Sequence, residues 1–242
     1  MTAFHLDGGN PWAGRKDSHG RMEHTVTTAI IGVGNIGGAL ARHLVRGGEH
    51  VVLAARDESK AAALAGELAP LASAASVREA VEAADVVVLA VWFDVLETLI
   101  ADYADLLDGK VVADPSNPIG FAADGTPVRT LPDDQSQGSL VAAMLPRGAH
   151  YVKAFGTLGA DSLANSANRA PRRAVLFFAT DDDHAGMAIE RLITVCGFDP
   201  VMVGGMDAVW RIEAPGGDLH QGGGLGGRLL DADQAHAALA SS

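Results

Sequence analysis

The sequence predicts an α/β fold, a doubly wound and mostly parallel sheet with a small C-terminal helical and loop appendage. Three observations point there. Its strand candidates are continuous apolar runs, as in a sheet buried on both faces; they alternate with segments of helical period; and the first strand passes into the first helix through a glycine-rich turn. The chain has 242 residues, enough for one main domain with a sizeable core.

Taken in order, Thr27-Thr28-Ala29-Ile30-Ile31 is a short β-branched strand, and Asn35 to Val45 a helix with Ile36, Leu40 and Leu44 at helical spacing. His50 to Ala54 is the second strand and Asp57 to Leu68 an alanine-rich helix. Ser76-Val77-Arg78-Glu79 has the form of a capping box. Asp85 to Val91 is the clearest strand, followed by a helix near Val95 to Leu107 and a strand at Lys110 to Asp114. Strands at His150–Phe155, Ala174–Ala179 and Pro200–Val203, with a helix at Asp183–Cys196, continue the pattern, and a last helix lies near Ala232–Ala240. The expected organisation is an extension over 1–24 without periodicity, disordered or peripheral, a main domain over 25–204 and a small helical segment over 205–242. The glycine-rich stretch Gly216 to Gly227 reads as a connector, with an active-site lid as the alternative.

Composition narrows the function classes. Eighteen Lys and Arg stand against 30 Asp and Glu, a net charge of −12. Such a surface disfavours nucleic acid and anionic membranes. The single cysteine, Cys196, excludes an internal disulfide and reads as a small buried residue. No apolar run approaches the roughly 20 residues of a membrane span, and no signal-peptide pattern opens the chain. The expected location is cytoplasmic.

Gly32-Val33-Gly34-Asn35-Ile36-Gly37 fits G-x-G-x-x-G and sits between a predicted strand and helix, the context that a dinucleotide-binding (Rossmann) turn requires. Gly32 would permit the turn, Gly34 would let backbone approach a pyrophosphate, and Gly37 would let helix and strand pack closely. The end of the second strand selects the cofactor. An acid there would accept hydrogen bonds from the ribose hydroxyls of NAD, but this chain has Ala54-Ala55-Arg56. Arg56 can pair with a 2′-phosphate and stack on adenine, Lys60 can add a second charge, and Asp57 suits an N-cap. NADP is the expected cofactor.

Several chemistries lack their residues. Tyr103 and Tyr151 are followed four positions on by Leu107 and Phe155, so Tyr-x-x-x-Lys is missing; no Gly-x-Ser-x-Gly, His-x-His or His-Glu-x-x-His occurs, and no metal site is expected. His43, His50 and His184 read as surface residues, His220 as a residue that could fold over a site, and Lys153 as a possible edge-strand gatekeeper. No catalytic acid or base is assigned. Hydride transfer between nicotinamide and another ring needs alignment more than proton transfer. Val91-Trp92-Phe93, at the carboxyl end of its strand, sits where such rings should bind, with core packing the equal alternative.

Together with Ala90-Val91-Trp92, Asp114-Pro115-Ser116-Asn117-Pro118 and Lys153-Ala154-Phe155-Gly156-Thr157-Leu158, these motifs resemble, in order, the NADP-dependent oxidoreductases of the deazaflavin coenzyme F420. The resemblance spans about Thr27 to Gln221. It implies a homodimer with the deazaflavin, or a flavin, stacked on the nicotinamide of NADP. By position it implies pyrophosphate contacts from Gly34, Asn35 and Ile36, and 2′-phosphate contacts from Arg56 and Lys60. Ala90 and Val91 would lie along the nicotinamide, and Asn117, Ala154, Thr157 and Ala160 would border the ring cavity. The chain departs at Phe155-Gly156, where some relatives carry an imidazole. The leading expectation is an NADP-dependent oxidoreductase that exchanges hydride with a deazaflavin or flavin-like small molecule. The alternatives are an NADP-binding sensor or scaffold without catalysis and a reductase of a small carbonyl or imine.

Overall fold

A computed structural model describes residues 27–241 and two short paired strands, β1 (Arg15–Lys16) and β2 (Met22–Glu23). The rest of the expected extension over 1–24 lies outside the described residues. The central sheet holds β3 (Thr28–Ile31), β4 (Val51–Ala54), β5 (Ala72–Ala74), β6 (Val86–Leu89), β7 (Val111–Asp114) and, after the hairpin described below, β10 (His150–Lys153). Its order is β10-β7-β6-β3-β4-β5 and every pairing is parallel. The strand order reverses at β3, which pairs with both β4 and β6. In such sheets ligands bind outside the carboxyl ends of the strands at this reversal.

Side chains alternate along each strand, so the two faces feed two cores. Ile30 and Val88 point to a core built with α1 (Asn35–Arg46), α2 (Glu58–Glu67), α6 (Ala160–Asn165) and α7 (Asp183–Val195). Ala29, Ile31, Val87 and Leu89 point to the opposite core with α3 (Val77–Ala83), α4 (Phe93–Leu107) and α5 (Gln137–Met144). The fold is thus a doubly wound Rossmann-type α/β sheet. The caps follow the local chemistry. Asp57 accepts from the Ser59 amide at the start of α2, and Ser76 and Glu79 form the reciprocal capping box of α3.

Beyond β7 the chain makes a small antiparallel hairpin, β8 (Ile119–Phe121) and β9 (Pro127–Arg129). The parallel pair β11 (Val175–Phe178) and β12 (Asp199–Met202) joins the central sheet through an antiparallel bridge between Lys153 and Ala179. A third core gathers Phe177, Val201, Val209, Leu219, Leu225, Leu230 and Ala235. The C-terminal region, with a 3-10 turn at Val209–Ile212 and α8 (Ala232–Ala240), therefore packs onto β11 and β12. No helix among the described residues is long and apolar enough to cross a membrane.

Two sequence expectations change. Lys153 is not an edge gatekeeper, because β10 is covered by the bridge to Ala179 and the residue is 1% exposed. His43 is buried in α1 with its Nε2 at 2.9 Å from the Leu163 carbonyl; burial holds its pKa below 6.5. Its position next to Leu44, one turn on from Leu40, carried that signal. Cys196 is buried as expected, and burial pushes its thiol pKa up.

Candidate active-site cleft

A cleft of about 490 Å³ opens at the carboxyl ends of β3, β6, β7 and β10. One wall is backbone. Gly32 has φ +101°, a left-handed conformation natural only to glycine, and a Cβ there would collide with the Ala90 carbonyl. A Cβ on Gly37 would collide with the Gly32 carbonyl, whereas one on Gly34 would meet nothing within 4 Å. Gly34 thus faces open space, and it caps α1 with no side-chain hydrogen bond. The first amides of α1 are left for an anion, with the positive end of the helix dipole behind them. Gly34, Asn35 and Ile36 line the cleft, and Ala90, Val91 and Trp92 extend the lining from the end of β6.

The opposite wall comes from three loops, contributing Pro115, Ser116, Asn117 and Ile119, then Gly156, Leu158, Gly159 and Ala160, and finally His220. Buried polar side chains hold these loops in place. Asp114 is fully buried and receives Lys153 Nζ at 3.0 Å, Tyr151 OH at 3.0 Å, and the Ser116 amide at 2.8 Å. The Ser116 hydroxyl donates to Asp114, Gln137 Nε2 donates to the Ser116 hydroxyl oxygen, and Lys153 also donates to the Ser116 carbonyl. Burial, with Asp114 second, raises the Tyr151 pKa well above its ordinary value, so the phenol stays a donor.

The Gly156 carbonyl ties the loops together, accepting from Asn117 Nδ2 at 2.9 Å and from His220 Nε2 at 3.0 Å. Asn117 Oδ1 in turn accepts from the Ala214 amide at 2.8 Å. A side chain at 156 would strike the Pro115 carbonyl, so glycine is required for this close approach. The Gly222 amide donates to His220 Nδ1 at 2.9 Å, which fixes the proton on Nε2. Burial lowers the His220 pKa, and the ring is neutral at pH 7. An imidazole therefore does border the cleft near Gly156, but it comes from the glycine-rich segment. That segment is a folded wall, anchored further where Gln221 Oε1 accepts from the Gly159 amide at 2.8 Å.

The other expected residues fall outside the lining. Gly32 and Gly37 shape the turn. Ala55, Arg56 and Lys60 lie past β4 on the far side of the turn. Arg56 is exposed and forms no ion pair among the described residues, while Lys60 Nζ is 3.7 Å from Asp57. Ala154 and Thr157 are buried behind the lining, and Thr157 Oγ1 has no hydrogen-bond partner among the described residues. Pro115, Ser116 and Leu158 lie inside motifs that carry the resemblance without being expected as site residues, and Ile119 and Gly159 lie just outside those motifs. Trp92 is 60% exposed at the rim, while Phe93 packs inward as the first residue of α4. No group of three or more His, Cys, Asp or Glu that could hold a metal occurs among the described residues.

Residues 27–118 match the family model described as NADP oxidoreductase, coenzyme F420-dependent. Over 185 residues the chain is 30% identical to the rat metalloreductase STEAP3, matching 76% of this chain but spanning only 35% of that protein. A solved structure of a hypothetical protein from Sinorhizobium meliloti is 31% identical, covers 86% of this chain and 96% of its own, and superposes with a TM-score of 0.74. A candidate F420-dependent NADP reductase from Arthrobacter sp. FB24, at 23% identity, covers 75% of this chain and 86% of its own, with a TM-score of 0.65. The glycine turn, the strand reversal at β3 and these likenesses agree, and the chain belongs to the family of NADP oxidoreductases described as coenzyme F420-dependent.

Proposed function

We propose that this chain transfers a hydride directly between NADP(H) and a planar ring acceptor of the deazaflavin or flavin type. The observation that carries the reading is the state of the polar groups on the loop wall. The Ser116 hydroxyl, both ends of the Asn117 amide and both nitrogens of His220 are already hydrogen-bonded within the protein. A carbonyl or imine reductase needs a group to deliver a proton to the substrate, and these side chains have none to spare. A ring acceptor does not need one. NADPH supplies a hydride, the ring takes it with a proton from water, and NADP⁺ and the dihydro ring result.

The residues would then act by position. The first turn of α1 fits the pyrophosphate, Arg56 the 2′-phosphate, and Ala90 and Val91 the nicotinamide edge. Ile36, Pro115, Ile119 and Leu158 keep water from the reacting face. A sensor without catalysis would fill the space beside the nicotinamide. Trp92 instead stands at the rim, and Trp210 lines a separate pocket. The test is to titrate with NADPH and NADH, then assay F420, FMN and riboflavin by loss of NADPH absorbance. Tight NADPH binding with turnover of at least one ring supports the reading; tight binding with no turnover of any ring overturns it.

A further inference from the structure

Resting on that reading, we infer that the acceptor taken by this cleft is a planar aromatic ring without an anionic tail, an uncharged isoalloxazine of the riboflavin type, stacked at the Trp92 rim. Two independent observations lead there. First, the mouth of the cleft is aromatic and open. Trp92 is 60% and Phe121 63% exposed, their rings 6.4 Å apart at 79°, edge to face. Phe121 ends β8, two residues after the cleft-lining Ile119. Large apolar side chains left this exposed at a cavity mouth offer stacking area to a flat ligand.

Second, the charges that frame this end have one sign. The segments over 90–97, 115–130 and 156–162 carry Asp94, Glu97, Asp124 and Asp161 against one fixed cation, Arg129, while Asp218 in the segment over 214–222 is already paired with Arg211 at 2.8 Å. Arg129 is committed inward, donating to the Gln135 carbonyl and lying 3.5 Å from the fully buried Glu213. Asp94, Glu97, Asp124 and Asp161 are all exposed. Charge is thus divided. Arg56 and Lys60, beyond the glycine turn and outside the cleft lining, and the N-terminus of α1 serve the phosphates of NADP, whereas the acceptor end of the cleft repels a phosphate or polycarboxylate. The tail of a deazaflavin coenzyme or the phosphate of FMN finds no complementary charge there, although the ring itself fits. The redox step balances as before, since only the substituent on the ring is specified.

Riboflavin and FMN share one ring and differ by a phosphate, so they isolate the charge. At low salt the expected kcat/KM for riboflavin exceeds that for FMN by about fivefold, and the gap narrows as added salt screens the rim. Asp94→Lys with Asp161→Lys should lower the riboflavin-to-FMN ratio, and Trp92→Ala should raise KM for riboflavin by a larger factor than it raises the NADPH dissociation constant. FMN or F420 outpacing riboflavin at low salt, with rates that fall as salt rises, overturns the inference but leaves ring reduction standing. Failure of every ring overturns the proposed function itself, and the two failures are distinct.

Discussion

The two walls of the cleft are built by different means. The turn at Gly32 to Gly37 presents peptide groups, and its shape depends on side chains that are absent. The facing loops present side chains and are held by a buried network of Asp114, Lys153, Tyr151, Ser116 and Gln137, drawn from the end of β7, the loop after it, α5 and β10. The backbone wall is rigid because the helix and strand beneath it are packed. The loop wall is rigid only while every buried polar group keeps its partner. Damage to the first should therefore appear in cofactor affinity, and damage to the second in global stability.

The largest expected effect tests that division. Lys153 and Asp114 have side-chain exposures of 2% and 0%. Lys153→Met leaves a buried carboxylate without its cation, and the expected loss of unfolding free energy is about 3–5 kcal/mol by urea denaturation. Adding Asp114→Asn should recover part of it, since the penalty is the unpaired charge. A loss under about 1 kcal/mol for Lys153→Met would mean that the loop wall does not depend on the network.

Arg56→Ala comes next and acts on the other side. Removing a charged hydrogen-bond partner should weaken NADPH binding by about 1.5–3 kcal/mol and leave NADH nearly unaffected. Calorimetric titration with both cofactors checks it, and equal losses would make Arg56 a structural residue. Gly37→Ala should then cost about 1–3 kcal/mol, the range for an overpacked contact, because the new Cβ meets the Gly32 carbonyl. If the walls differ as described, this loss shows more strongly in NADPH affinity than Lys153→Met does.

The same contrast explains what could be read in the sequence. Gly32, Gly34 and Gly37 act within six residues, and the strand at Val86–Leu89 is one apolar run, so local pattern carries both. The loop wall depends on partners far apart. Lys153 meets Asp114 across 39 residues, and His220 meets Gly156 across 64. Alone, Lys153 at a strand end looks like an edge residue, and only the pairing of β10 with β7 makes it a counter-ion. Short β5, made of Ala72-Ser73-Ala74, has no strand propensity to announce it, and α5 carries a glycine and no clear apolar stripe. Both are set by their neighbours.

The smallest effect concerns His220, the link between the glycine-rich segment and Gly156. Burial is the largest cause of its lowered pKa. The unfolded chain, with an ordinary imidazole near 6.5, then binds more protons than the folded chain in the window below that value. Stability therefore rises with pH through this window, levels off above it, and is lost as acid protonates the ring and removes Nδ1 as acceptor for Gly222. His43 is shifted the same way and adds to the slope. In His220→Gln the slope of unfolding free energy between pH 5 and 7 should shrink without vanishing, the remainder belonging to His43. An unchanged slope would show that His220 titrates alike in both states, and the loop wall would then owe its closure to Gln221 and Asn117.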